Sequence, residues 1–343
     1  VTAPAPAHAP APARAGVRVR RGPLTTAALA VAALLLALLA LGLGDYPLSV
    51  PEVVRALVSD QGFATTVVTG WRLPRVVVAL VFGAALGVSG ALFQSLTRNP
   101  LGSPDVIGFS TGAYTGVLVV TTVLGTGVLG VSAGALLAGL ATAFVVYLLA
   151  YRDGVQGFRL IVVGIGVTGM LHGVNVWLLL RAETEVAMAA SIWGAGSIAL
   201  TGWSQAVPAF VVLAVLTPLV CAASGPLRQL ELGDDAAGAH GLRVERSRLV
   251  VVVLGVALIA TVTATAGPIA FVALSAPQIA RRLAGSPGLP LVASALTGGL
   301  VLLGADMIAQ HVLPTAVPVG VVTVVLGGAY LLALIVQEAR RRW

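Results

Sequence analysis

The chain has 343 residues, of which 58% are hydrophobic and 10% charged, with a formal net charge of +7. Soluble domains carry about 25% charged residues, so a soluble fold is excluded: too few charges are present to cover so much apolar surface. All 20 basic residues are arginine, and without a lysine no conventional P-loop can reach nucleotide phosphates.

In chain order, residues 1–22 open with an Ala/Pro-rich run and continue with Arg14, Arg18, Arg20 and Arg21. That composition predicts an extended tail. The apolar block from Leu24 to Leu43 is too long for the h-region of a signal peptide, and is expected to remain as a first transmembrane helix. Further apolar spans follow at 76–96, 106–124, 128–150, 160–180, 205–223, 249–267, 268–284, 290–305 and 318–337, before a basic C-terminus at 339–343. Most are near 20 residues, the length that crosses a bilayer core. The expected fold is an all-α polytopic membrane protein with about ten helices over 23–338. Alternate loops divide the arginines 16 against 4, with Arg55, Arg72, Arg75 and Arg181 forming the smaller set. By the positive-inside rule both termini are then cytoplasmic, in the inner membrane.

The layout also excludes several chemistries. Arginines dispersed in short loops do not form the basic face that nucleic acid requires. Cys221 stands alone, and His8, His172, His240 and His311 are scattered without metal-ligand spacing. No Ser/His/Asp set, HExxH string or carboxylate pair marks a catalytic centre, and Glu183 and Glu185 read as solvated loop residues.

Between the spans, residues 224–248 form the longest charged inner loop, while 44–75 and 181–204 lie outside. The stretch SIWGAGSIALTGW reads as a re-entrant or interfacial helix anchored by Trp193 and Trp203. Gly83, Gly87 and Gly90, and again Gly164, Gly166, Gly169 and Gly173, serve either close helix packing or a conduit. Arg72 and Arg75 flank Pro74 at the outer start of the second span, where proline suits a first helical turn. Cations there oppose the helix dipole at about 0.3–1 kcal/mol each, so either a partner or interfacial snorkelling must favour them. Asn99, Pro100 and Leu101 form an inner turn. Asp234 is placed as an N-cap, with Asp235 to His240 as a short helix and Gly241 as its left-handed C′ residue.

The stretch WRLPRVVVALVFGAALGVSGALFQSLTRNPLGSPDVIGFSTGA at 71–113 resembles the signature of the FecCD-type permeases, membrane subunits of ABC importers for ferric siderophores, haem and vitamin B12. Matching blocks follow at 160–170, 232–248, 265–285 and 304–328, so the resemblance runs from about residue 24 to 338. It implies a type II ABC importer permease architecture and no enzymatic site in this chain. ATP and Mg would be held by two cytoplasmic ATPase subunits. The wording VALSAPQIARRL is similar to the divergent second permease of ferric-enterobactin-type importers. Ala273, Gln278 and Ala329 depart from the usual family residues, which favours pairing with a different permease over a homodimer.

The resemblance also implies roles. Arg72 and Arg75 would dock acidic residues of an extracytoplasmic siderophore-binding lipoprotein. The family's third docking arginine is Gln310 here. Asp306 nearby faces either a pathway or an interfacial hydrogen bond. Asn99 and Leu101 would form a cytoplasmic gate. Gly233, Asp234, Asp235, Ala236, Ala237, Gly238, Ala239, His240 and Gly241 would be the helix that seats in an ATPase, with Arg243, Arg246 and Arg248 beside the ATPase or lipid headgroups. The ligand expected is a ferric siderophore before haem or vitamin B12. An ion-coupled transporter is the rival from another class, but it needs carboxylates within the spans, which are nearly free of them.

Overall fold

The protein is described from a computed structural model over residues 22–125, 128–151, 157–286 and 288–342. The tail at 1–21, with its four arginines, and Arg152 lie outside the described residues.

The described residues form helices and no strand. They are α1 (Gly22–Gly42), α2 (Val50–Val58), α3 (Phe63–Thr97), α4 (Phe109–Leu124), α5 (Val128–Ala150), α6 (Gly157–Arg181), α7 (Thr184–Gly194), α8 (Trp203–Glu231), α9 (Asp234–Ala239), α10 (Val244–Ala266), α11 (Val272–Ala284), α12 (Leu291–His311) and α13 (Val319–Arg342). Among them, seven helices are long and apolar enough to cross a membrane: α1, α3, α5, α6, α8, α10 and α12. The other three expected spans correspond to shorter helices: α4, α11 and the apolar part of α13 (Val319–Ala333).

Helix α3 is the core of the bundle and is buried through most of its length. Lipid is as apolar as a leucine side chain, so helices in a membrane associate by close packing rather than by hiding apolar surface from water. Here the close approach is built from missing side chains. A Cβ on Gly83 would collide with the carbonyl of Gly298 on α12, and one on Gly87 with the carbonyl of Ser294. The α3 glycines therefore serve packing. Around Gly166, Gly169 and Gly173 of α6 there is open space, and that helix is mostly exposed in the isolated chain.

Four local expectations are corrected. Pro74 stands in the first turn of the α-helical part of α3, Leu73–Thr97, but the helix does not begin there. The proline lies inside α3, just after a π-helical stretch at Thr66–Arg72, where the Leu73 N–H reaches back to the Val68 carbonyl. The wider turn re-pairs the ladder around a residue with no N–H to give. The inner loop at 224–248 is shorter than its composition implies, because α8 runs on to Glu231 despite Pro208, Pro218 and Pro226. The SIWGAGSIALTGW stretch is only half helical: α7 ends at Gly194, and residues 195–202 are irregular. Their backbone is satisfied within the protein, since the Ser197 N–H donates to Ala266 O at 2.7 Å and Gly196 O accepts from the Gly320 N–H at 3.0 Å. Trp193 stacks on Tyr114, and Trp203 Nε1 donates to the Thr69 carbonyl at 3.0 Å, so both tryptophans anchor on protein.

The fourth correction concerns the span expected at 268–284. Helix α10 ends at Ala266, and the chain continues without helix over 267–271. Gly267 at φ 72° and Phe271 at φ 67° bound this connector. Helix α11 then has 13 residues, about 20 Å of rise, which is less than a hydrocarbon core of about 30 Å.

Candidate functional site: the two polar ends of the bundle

One end of the bundle holds an open cavity of about 940 Å³ between the 44–76, 189–205 and 303–318 segments, with Thr265 and Ala266 also lining it. Its aromatic wall is ordered: Phe63 packs edge-on to both Tyr46 and Trp71. Arg72 lies at the rim and donates to two carbonyls, Leu41 O at 2.9 Å and Tyr46 O at 2.7 Å. These bonds fix the guanidinium without neutralising it. Arg75 is held differently. Its Nε and Nη2 donate to Asp306 Oδ2 and Oδ1 at 2.9 and 2.8 Å, and the Asp306 side chain is only 2% exposed. Gln310 completes the group, with Nε2 donating to Asp306 Oδ2 at 2.6 Å.

The structure thus brings Arg72, Arg75, Asp306 and Gln310 to one cavity, but gives the two arginines unequal freedom. Asp306 is hydrogen-bonded and also lines the cavity, so both roles left open by the sequence remain compatible with its position. Its partner could not be read locally, because Arg75 is 231 residues away.

The opposite end carries Arg98, Arg159, Arg228, Arg243, Arg246, Arg248, Arg281 and Arg282. Helix α3 stops here because Arg98 adopts a left-handed conformation, φ 49°. The next residues make a tight turn in which Asn99 Oδ1 accepts the Leu101 N–H at 2.9 Å and Asn99 O accepts the Gly102 N–H at 2.9 Å. Asparagine favours this Asx geometry. The Leu101 side chain is 53% exposed. Beside the turn is a pocket of about 240 Å³ that also includes Gln94, Glu231, Gln278 and Arg281. Gln278 and Gln94 bond to each other there, and Gln94 Nε2 donates to the Leu274 carbonyl.

Helix α9 follows α8 across a turn. Gly233 is its N-cap residue at φ 117°, the helix runs from Asp234 to Ala239, and His240 is the C-cap. Gly241 has φ 80°, the left-handed C′ expected of it. The helix therefore begins one residue earlier than the sequence placed it. Ala237 is buried beneath it, while Asp235, Gly238, Ala239 and His240 face outward. Asp234 is bound on both sides, by Arg98 Nη2 at 2.7 Å and by Arg248. Burial pushes the Asp234 carboxyl up, but the Arg248 hydrogen bond and charge and the Arg98 charge outweigh it, so it titrates below the ordinary aspartate range. The sequence placed Arg248 beside the ATPase or lipid but not its pairing with Asp234, and it gave no role to Arg98 or to Glu231, which accepts from Ser95 Oγ at 2.6 Å. Apart from the Arg248–Glu245 pair within α10, these partners lie on other helices, so no local spacing marks them.

Residues 31–337 match the FecCD transport family. The chain belongs to that family. It is similar to the ferric enterobactin transport system permease protein FepG of Escherichia coli, 47% identical over 94% of this chain and 99% of FepG. It is also similar to the Fe(3+)-citrate import system permease protein YfmE of Bacillus subtilis, 32% identical over 94% of this chain and 98% of YfmE. Among solved structures, a metal-chelate type ABC transporter in an inward-facing conformation superposes with a TM-score of 0.81, at 26% identity, covering 92% of this chain and 99% of that one. This multi-pass helical FecCD chain carries its two polar clusters at opposite ends of the bundle.

Proposed function

We propose that this FecCD chain is the permease subunit of an ATP-driven importer that moves a ferric siderophore across the cytoplasmic membrane. The observation that carries the reading is the 47% identity with a ferric enterobactin permease across nearly the whole of both chains. Ten spans with cytoplasmic termini would put the arginine-rich end inside and the 940 Å³ cavity outside.

On this reading the cavity receives an acidic surface of a binding lipoprotein. Arg72 supplies a charge hydrogen-bonded to carbonyls, with Asp45 nearby but not bonded to it. Arg75 contributes less, because Asp306 already compensates it. Such charge complementarity governs orientation and encounter rate more than final affinity. The Asn99–Leu101 turn gates the inner mouth, and Gly233–Gly241 seats in one of two ATPase subunits, which hold ATP and Mg. A second, different permease completes the path. It would cover the open face of α6, where Gly166, Gly169 and Gly173 meet nothing.

The test is uptake into proteoliposomes containing the complex purified through a tag on this chain. Accumulation of a ferric siderophore is expected to need ATP and the binding protein, and to survive collapse of the proton gradient. Accumulation by this chain alone, or uptake abolished by a protonophore, would overturn the proposal. Uptake of haem or vitamin B12 in place of the siderophore would keep the mechanism and change the cargo.

A further inference from the structure

Arg98 occupies a position that neither the gate nor the ATPase-facing helix explains by itself. It is one of two non-glycine residues with positive φ among those described, a conformation that costs an arginine about 1–2 kcal/mol. A strained residue persists only where its surroundings hold it. Here the hold is specific. Arg98 Nη2 and Nε donate to the Leu230 carbonyl at 2.9 and 3.3 Å, at the end of α8, and Nη2 also reaches Asp234 Oδ1, the first residue of α9. Three residues earlier, Ser95 Oγ bonds Glu231. On the far side, Asp234 is tied to Arg248 in the first turns of α10. The residue after Arg98 is Asn99, whose side chain forms the inner turn.

From this geometry we infer that Arg98 is a positioning residue that transmits displacement of α9 to the Asn99–Leu101 turn. Its backbone belongs to the turn and its guanidinium to the α8–α9 junction. The left-handed backbone ends α3 and starts the turn, while the side chain extends back across the end of α8. A shift of Asp234 therefore pulls on the residue adjoining the gate, without passing through α3. The Arg98–Asp234 pair is about half exposed, 46% on each side. Such a pair is worth about 0.2–1 kcal/mol by itself, and the two bonds to the Leu230 carbonyl keep the guanidinium seated at the junction so that the pair can act. This inference rests on the importer reading proposed above.

The experiment uses the complete complex in proteoliposomes, with a cysteine at Leu101 in a Cys221→Ala background and a water-soluble thiol reagent as probe. In the parent, the labelling rate at position 101 is expected to change between the ATP-bound and nucleotide-free states. In Arg98→Gln that change is expected to shrink about fivefold, with ATP hydrolysis retained. Arg98→Lys, which keeps the charge but not the fork, is expected to restore part of it. Asp234→Asn should shrink the response similarly, and the double variant should be no worse than either single, as residues in one link are non-additive. An unchanged response in Arg98→Gln, or single effects that multiply in the double variant, would overturn the inference. Failure of the parent complex to show ATP-dependent uptake would instead overturn the importer reading.

Discussion

Arg75 and Asp306 meet in a two-point ion pair between α3 and α12, with Gln310 donating to the same carboxylate from one helical turn further on. The pair ties together the two helices that meet backbone to backbone at Gly83, Gly87 and Gly298, close to the rim of the large cavity. Removing one partner leaves a buried charge uncompensated, which costs more than the pair itself contributes. Arg75→Ala is expected to destabilise the protein by about 3–5 kcal/mol. Arg75→Lys should recover only part of this, because a point charge cannot make both bonds. Arg75→Ala combined with Asp306→Ala should be milder than Arg75→Ala alone. Thermal unfolding in detergent measures all three.

Gln310 leaves the Arg75–Asp306 group neutral. Gln310→Arg would give Asp306 two cations and make the group positive by one. If the cavity receives an acidic docking surface, association with the binding protein should become faster in Gln310→Arg, and the gain should fade as salt shortens the screening length from about 10 Å at 0.1 M. Stopped-flow association at two ionic strengths reads this. An unchanged rate would place the docking contacts elsewhere.

The α3–α12 crossing leaves no space at Gly87, whereas Gly166 has nothing within 4 Å. Gly87→Ala is expected to cost about 1–3 kcal/mol through overpacking against backbone that cannot move aside. Gly166→Ala should leave the monomer's stability unchanged. If α6 meets a second permease, Gly166→Ala should instead reduce co-purification of that subunit. The two measurements, melting temperature and subunit recovery, separate the two kinds of glycine.

The Asp234 carboxyl is held below the ordinary aspartate value by its arginines. A carboxyl depressed in this way contributes stability above its unfolded pKa of about 3.9, and loses it as the pH falls through the lower folded value. The stability difference between the parent and Asp234→Asn should therefore be flat above about pH 5 and close as the pH falls below about 4. A difference that grew on acidification would show that burial, not the arginines, governs the site.

Within the inner turn, Asn99 holds the Leu101 N–H with its side-chain oxygen. Asn99→Asp keeps that acceptor and Asn99→Ala removes it, at about 1 kcal/mol. Faster hydrogen exchange at Leu101 in the alanine variant only would support the assignment.

Helices were legible where apolar length marks them, as at α5, because a bilayer imposes one dimension on every span. Asp234 to Gly241 was legible too, since local backbone chemistry dictates a short helix closed by a left-handed glycine. The boundaries misread were those set by tertiary context: α3 beginning before Pro74, α8 continuing past Pro226, and the late start of α11 at Val272. In each, breaker residues are accommodated by neighbours that no sequence window contains. The same holds for the site. Arg72 and Arg75 were identifiable as unusual cations at the outer end of a span. That one is ion-paired and the other hydrogen-bonded to carbonyls depends on Asp306 and on the Leu41 and Tyr46 backbone, brought together by folding.

The sunken 267–271 connector has an electrical consequence. If the proposed topology holds, with α11 rising only about 20 Å, the cavity floor at Thr265 and Ala266 would lie within the bilayer slab, and the transmembrane voltage would fall mainly across the thinner layer beneath it. A charge resting on that floor has traversed little of the drop, which is worth about 2.3 kcal/mol per elementary charge per 100 mV. On the importer reading, any voltage sensitivity of uptake should accordingly reside in release to the interior and not in arrival from outside.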